Sequence, residues 1–209
     1  MSSVDLGDFF RFVYVSRSSV IGGAAQPYVD GYTVKFGVYL GVRKVGNIKV
    51  DLSAHESPMD SPPAVIPAHR LILPKLRSFP YRLYPLSAQV ADKVCATLSV
   101  HNGVPSSREK DLVDLVVIAV TMTIDADQTR LAIQHEARRR LLTLPEVFTA
   151  PANWGAVYAS HAKNTPASGH TITDARKLMV SFIDPLLNGT ITESAWSPAD
   201  LAWVPVGEP

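Results

Sequence analysis

Two stretches in the second half of the chain place charge where their neighbours call for burial. One is Gln89-Val90-Ala91-Asp92-Lys93-Val94-Cys95-Ala96. The other is Ser107-Arg108-Glu109-Lys110-Asp111-Leu112-Val113-Asp114-Leu115, which runs on into Val116-Val117-Ile118-Ala119-Val120. Both read as helix with little room for a wet face. A lysine or an aspartate removed from water is costly unless it is paired or used. Any fold that buries these helices must therefore give Lys93 and Asp114 partners, and each is the obvious partner of the other.

The pattern around these stretches divides the chain. Phe9-Phe10-Arg11-Phe12-Val13-Tyr14-Val15 is aromatic and β-branched and reads as a strand. Residues 16–30 read as a loop. Residues 32–40 and 46–52 read as two more strands, with Gly41–Gly46 as the hairpin turn between them. Prolines 58, 62, 63, 67, 74 and 80 then mark a long irregular connection with room for one short strand. Beyond it, residues 86–100, 108–123, 126–142, 152–163 and 171–187 repeat apolar residues near the helical period. Ser107 is placed to cap the second of these helices. Thr171, or Thr173-Asp174, is placed to cap the last, and Gly189 to end it. The expected class is α+β: a small sheet over residues 1–84, then a helical bundle over residues 85–209.

Composition narrows what such a chain can do. A formal net charge of +1 supplies no global basic field for nucleic acid, so RNA binding would rest on a local patch. Cys95 is the single cysteine, which excludes a disulfide framework and a thiolate metal cluster and agrees with a reducing cytosol. No apolar run is long enough to span a bilayer. Residues 1–5 lack the basic and apolar segments of a signal peptide.

Four groups of residues carry candidate chemistry. Asp51, closing Ile48-Lys49-Val50-Asp51-Leu52, is a strand-end carboxylate able to hold a metal rigidly, or a residue that simply caps a turn. Lys93 shares a helical face with Gln89 and Ala96, and it either reaches a phosphate or snorkels to water. Asp111 and Asp114 stand three apart on α-helical spacing beside Arg108 and Lys110. Asp111 suits the positive end of a helix dipole without further explanation. Asp114, deeper in the apolar run, either organises Lys93, takes a proton from an RNA hydroxyl, or forms a purely structural pair. Arg138, Arg139 and Arg140 make a basic run, with Arg130 and His135 on the same helix. They serve either as a phosphate-contacting patch or as a solvated helix end that complements the dipole. The histidines lack metal-ligand spacing, and Gly22-Gly23 lacks the context of a phosphate loop.

Taken in order, several segments resemble the AbiEii-type nucleotidyltransferase toxins, the family that includes the mycobacterial MenT proteins. They are Gly7-Asp8-Phe9-Phe10-Arg11-Phe12, Val50-Asp51-Leu52, Tyr84-Pro85-Leu86, Ala91-Asp92-Lys93-Val94-Cys95-Ala96 and, most specifically, Ser107 to Leu115. Weaker echoes are Leu144-Pro145, Trp154, Phe182 to Leu187, and Trp196. The resemblance implies a polymerase β-like nucleotidyltransferase domain followed by helices. It implies Mg²⁺-dependent transfer of a nucleotide from NTP to RNA, the tRNA 3′ end in the mycobacterial members. Translation then stops, and a separate antitoxin protein restrains the enzyme. On this resemblance Asp51 matches the third metal carboxylate, or a structural stand-in for it, and Lys93 the nucleotide-contacting lysine. Asp111 and Asp114 match the last acidic motif, with Arg108 as its basic neighbour. Arg138, Arg139 and Arg140 become the RNA-binding candidates.

One part of the pattern is missing. The family's first motif, a Gly-Ser pair followed by an Asp-x-Asp strand, should lie upstream of Gly7-Asp8-Phe9-Phe10. No Gly-Ser pair occurs in the chain, and Asp5 and Asp8 are three apart rather than two. Asp51 alone cannot hold two Mg²⁺ ions. The expectation is either a chain incomplete at its N-terminus or a catalytically incomplete member that binds RNA or an antitoxin on the same scaffold.

Overall fold

The computed structural model describes residues 9–18, 31–53, 62–68, 70, 72 and 79–206. Most of the expected loop over residues 16–30, Pro58, Pro74 and the Gly7-Asp8 end of the first family segment lie outside the described residues. The chain divides into two units, Met1–Leu83 and Tyr84–Pro209.

The first unit is built on a three-stranded antiparallel sheet in chain order. Its strands are β1 (Phe10–Ser18), β2 (Gly31–Leu40) and β3 (Arg43–Ser53). The hairpin between β2 and β3 is tighter than expected. Leu40 pairs directly with Arg43, so the turn is Gly41-Val42 alone. Gly41 stands at φ +59° in its first central position, where primed hairpin turns favour glycine. Residues 43–45, expected in the turn, belong to β3. The register slips at Val15 in β1 and at Val45 in β3, each an extra residue that sharpens the local twist. Arg11 lies over the ring of its cross-strand partner Tyr39, 5.1 Å from the centroid. Two short strands, β4 (Ala64–Val65) and β5 (Tyr81–Arg82), pair across the proline-rich connection.

The second unit holds six helices among the described residues. Helix α1 (Leu86–Leu98) packs against both α2 (Glu109–Thr121) and α3 (Ala126–Arg139). Val90, Val94 and Cys95 of α1 and Leu112, Leu115 and Val116 of α2 are wholly buried, as their spacing requires. Helix α2 also touches α4 (Tyr158–Ala162), a 3₁₀ turn (Pro166–Gly169) and α5 (Ile172–Phe182), and α6 (Asp184–Asn188) packs on α3 and α5.

This half is not helical throughout. A two-stranded hairpin, β6 (Val100–His101) with β7 (Val104–Pro105), follows α1. Strands β8 (Ile124–Asp125), β9 (Ser194–Ser197) and β10 (Ala202–Pro205) form a three-stranded antiparallel sheet with β9 in the middle. The chain end is thereby laid beside the α2–α3 connection. Its anchor is Trp196, fully buried, whose indole N–H donates to the Ala119 carbonyl at 2.7 Å. Phe182 stacks at 5.9 Å on Trp203 and lies 4.7 Å from Trp196. Such ring pairs add about 0.5–1.5 kcal/mol each beyond their buried area.

Helix boundaries depart from the periodic pattern for identifiable reasons. The expected helix over residues 152–163 shrinks to α4, because Gly155 at φ +138° is incompatible with a helix. The expected helix over residues 171–187 breaks at Ile183, because Pro185 lacks an N–H and its ring crowds the preceding turn. Thr171 caps α5 as expected, in a full capping box with Asp174, and Gly189 ends α6 in the left-handed conformation. Ser107 does not cap α2. Arg108 occupies that position without a side-chain cap, and its backbone N–H donates to Ser106 Oγ at 3.2 Å.

Candidate active site

Lys93 and Asp114 meet. Lys93 extends from the middle of α1 toward α2, and its Nζ donates to Asp114 Oδ2 at 2.6 Å and to Asp111 Oδ1 at 3.4 Å. Asp111 is one turn into α2 and Asp114 a turn further, so both carboxylates face α1. Lys110 closes the outer side: its Nζ lies 2.8 and 2.9 Å from the two Asp114 oxygens. The cluster is a half-sheltered group of two ammoniums and two carboxylates. The Lys93, Asp111 and Asp114 side chains keep 18%, 14% and 28% of their exposure, against 65% for Lys110.

Electrostatics holds Lys93 and Asp114 in their charged forms. Burial pulls the Lys93 ammonium toward neutrality, but its hydrogen bond to Asp114 and the field of Asp111 reverse that, and its pKa rises above 10.5. Burial likewise raises Asp114, and the hydrogen bonds from Lys110 and Lys93 outweigh it, so its pKa falls below 3.8. At neutral pH Lys93 is a fixed cation and Asp114 a fixed anion. A carboxylate this well satisfied is a poor proton acceptor.

A second ionic cluster lies on the other side of α1. Asp92, next to Lys93, pairs with Arg140, and Arg140 also donates from Nε to Glu136 of α3. Arg139 grips the same carboxylate in a two-point contact at 2.7 and 2.9 Å. Burial raises the Glu136 pKa, but Arg139 and Arg140 more than offset it and hold it below 4.5. The expected patch of Arg138, Arg139 and Arg140 is therefore not displayed as one surface. The Arg140 side chain keeps 5% of its exposure, Arg139 turns onto Glu136, and of the three only Arg138 is exposed. Cys95 sits beneath this cluster, and burial pushes its thiol up to about 12, so it is inert at neutral pH.

Asp51 belongs to the first unit. It lies within β3 rather than at its end, exposed, opposite Thr33 on β2, whose hydroxyl donates to Asp51 Oδ1 at 2.6 Å. Its setting is polar and cross-strand, not the strand end expected. Arg108 is exposed at the start of α2.

Glu109 and Trp154, noted in the sequence only as parts of family-like segments, prove to be structural ties. Glu109 is buried, and its Oε1 accepts from the Gly155 backbone N–H at 2.6 Å, while the Trp154 indole donates to the Ser106 carbonyl at 3.0 Å. Together they tie the start of α2 to the 152–157 loop. Contrary to the expectation that the chain holds no Asp-x-Asp, that spacing does occur, at Asp125-Ala126-Asp127. Its carboxylates have structural duties. Asp125 caps α3 through Gln128 N at 2.7 Å, and Asp127 pairs with Arg130 and accepts from Glu193 N. Among the described residues no three His, Cys, Asp or Glu side chains are grouped to hold a metal ion. Among the described residues the carboxylates do not fit a metal pair: Asp51 is the one carboxylate described in the first unit, and Asp111 and Asp114 face ammoniums.

The family model for the nucleotidyl transferase AbiEii toxin of the Type IV TA system matches residues 6–194. The chain belongs to that family. The match covers the sheet of the first unit and both helices of the Lys93 cluster, so this AbiEii-family chain is a nucleotidyltransferase-type toxin of a toxin–antitoxin system. The α+β expectation agrees with the mixed helices and small antiparallel sheets described above. No curated protein matches the chain. No helix of the described residues is long and apolar enough to cross a membrane.

Proposed function

We propose that this AbiEii-family chain transfers nucleotides from NTP to RNA, at the tRNA 3′ end, and so blocks translation in the cytoplasm until a cognate antitoxin protein restrains it. The supporting observation is the Lys93–Asp111–Asp114 cluster, which holds a permanently charged ammonium in a half-sheltered position within the family-matched region. In this reading Lys93 contacts a nucleotide phosphate as a point charge. Asp114 and Asp111 are positioning residues that hold it, and the lowered Asp114 pKa argues against Asp114 as the base. Arg108 and Arg138, both exposed, are the cations left to meet RNA phosphates. The catalytic sheet is of the polymerase β-like class. Mg²⁺ accompanies the NTP.

The test is labelling of tRNA with each NTP in the presence of Mg²⁺. Label is expected at the 3′ end with the wild-type chain and none with Lys93→Ala. Absence of label with every NTP, or full activity in Lys93→Ala, sinks the reading or removes Lys93 from it.

A second reading rests on the lack of a metal-holding cluster among the described residues. In it the chain is a non-catalytic family member that binds RNA or its antitoxin. It predicts tRNA binding that weakens steeply with salt, without Mg²⁺-dependent chemistry.

A further inference from the structure

The three-stranded sheet of the first unit has two unlike faces. Paired residues of an antiparallel ladder share a face, and the faces alternate along each strand. Phe12, Tyr14, Phe36 and Ile48 fall on one side. The other side carries the rows Arg11–Tyr39–Lys44 and Ser16–Lys35–Lys49, each crossing β1, β2 and β3. A Cβ added at Gly37, between these rows, would lie 3.2 Å from Tyr39 Cε2 and 3.6 Å from Lys44 Cε, so both side chains lean over the same stretch of this face.

Charge on this face is unbalanced. Arg11, Lys35, Lys44 and Lys49 share it with one described carboxylate, Asp51, which accepts from the Thr33 hydroxyl. Among the described residues none of the three lysines has an ion-pair partner. Lys35 and Lys49 stand directly opposite each other, an arrangement that destabilises a ladder. Lysine on an edge strand discourages aggregation, which accounts for Lys44 and Lys49 on β3. It does not account for Lys35, on the central strand. A like-charge pair kept across the middle of a sheet, against the sheet's own stability, is explained by an anion that it meets.

The spacing selects the anion. Lys35 and Tyr39 are four residues apart on β2, roughly 13 Å at the rise of a strand, so the two cation rows cannot share one small anion. A chain of regularly placed phosphates meets both. Tyr39, between Arg11 and Lys44, adds an aromatic ring on the same face, and cations beside rings hold single-stranded nucleic acid. The large apolar side chains that a membrane surface would take up lie on the opposite face.

We propose that this face of the sheet binds the phosphate backbone of the RNA, with Lys35 and Lys49 meeting one stretch of it and Arg11 and Lys44 another. The proposal rests on RNA being the partner, as read above, and not on transfer. It adds contacts of the first unit to those of Arg108 and Arg138.

The experiment is titration of fluorescein-labelled tRNA with the full chain, followed by anisotropy between about 50 and 200 mM salt. The wild-type chain should bind, with affinity falling as salt rises. Lys35→Gln combined with Lys49→Gln removes two phosphate contacts and should flatten the slope of log affinity against log salt by about 1.4–1.8. Lys44→Gln, in the other row, should flatten it by about 0.7–0.9. The double variant should melt no lower than wild type, because a like-charge pair is gone, and Lys49→Glu should melt higher while binding tRNA more weakly than Lys49→Gln. A wild-type slope in either the double variant or Lys44→Gln, or a double variant that melts lower than wild type, overturns the proposal. So does the absence of any complex with tRNA, which takes the RNA reading with it. Poly-glutamate binding that is lost in the double variant while tRNA binding persists also overturns it, and assigns the face to an acidic protein. Flattened slopes without 3′ labelling keep this surface and remove transfer. Labelling with unflattened slopes keeps transfer and removes this surface.

Discussion

Replacing Lys93 by methionine keeps the length and apolar stem of the side chain and removes the ammonium. Asp114 would keep Lys110 at 2.8 and 2.9 Å, but Asp111 would lose its 3.4 Å contact while only 14% exposed. Breaking a fully buried pair costs about 3–5 kcal/mol, and an exposed pair contributes about 0.2–1 kcal/mol. With Lys93 18% and Asp114 28% exposed, the position is between these limits, and the expected loss is about 2 kcal/mol. For a chain of this size that lowers the melting temperature by roughly 4–8 °C. Urea unfolding followed by tryptophan fluorescence reports it well, because Trp154, Trp196 and Trp203 all lie in the helical unit. The pH dependence is the sharper check. Asp114 has its folded pKa lowered below 3.8, so its pairing contributes fully above that value and is lost as pH falls through the folded value. Lys93 has its folded pKa raised above 10.5, so its contribution persists below 10.5 and is lost as pH rises past the folded value. The gap between wild type and Lys93→Met should therefore be flat through neutral pH and close in acid. Lys93→Met combined with Asp114→Asn should cost less than the two single changes added together. A gap that persists undiminished in strong acid, or no gap at pH 7, would refute the ion-pair account.

Arg140→Met removes the guanidinium shared by Asp92 and Glu136 and leaves Glu136, 11% exposed, to Arg139 alone; a loss of about 1–3 kcal/mol is expected in urea unfolding. Asp184 has its pKa raised above 3.8, chiefly by burial and against a backbone hydrogen bond from Phe148. Its charged form weakens the fold as pH rises through that range, so Asp184→Asn should melt no lower than wild type at pH 7 and lose its relative advantage in acid. Trp196→Phe leaves the Ala119 carbonyl without its 2.7 Å donor in a fully buried site and should cost about 2–4 kcal/mol by the same unfolding assay.

Much of the helical unit was legible because helix period and burial agree there. The isolated charges of α1 and α2 were readable as a pair for the same reason: Asp114 lies within an apolar run and has few ways to be satisfied. What stayed hidden depends on contacts distant in sequence. Strand β8 is two residues long and exists because β9 pairs with it from the chain end. Nothing local in Ile124-Asp125 announces that pairing. The same holds for Glu109, which reads as a first-turn helix acid and is instead committed to Gly155. The three consecutive arginines show the limit of composition. A basic run suggests a surface patch, but Glu136, three and four residues before Arg139 and Arg140, draws both inward. That spacing was available in the sequence, and it is the signal that would have divided the run.

The two ionic clusters explain why Asp92 and Lys93, adjacent in the chain, matter together. Neighbours on a helix point about 100° apart, so consecutive charges on α1 address different helices. Asp92 reaches Arg140 at the end of α3, and Lys93 reaches Asp111 and Asp114 on α2. Between these attachments the apolar face of α1, Val90, Val94 and Cys95, is wholly buried. Helix α1 is thus restrained by packing, by two ion pairs to α2 and by one to the end of α3, and Lys93 has little freedom to change its position. A phosphate-contacting lysine benefits from that arrangement, since a charge already held in place needs no reorganisation when its ligand arrives. It follows that Arg140→Met should disturb nucleotide handling as well as stability, because it frees α1 on the Asp92 side, next to Lys93. If transfer is present and Arg140→Met changes the melting temperature without changing KM for NTP, the α3 attachment is purely structural, and Lys93 is positioned by α2 alone.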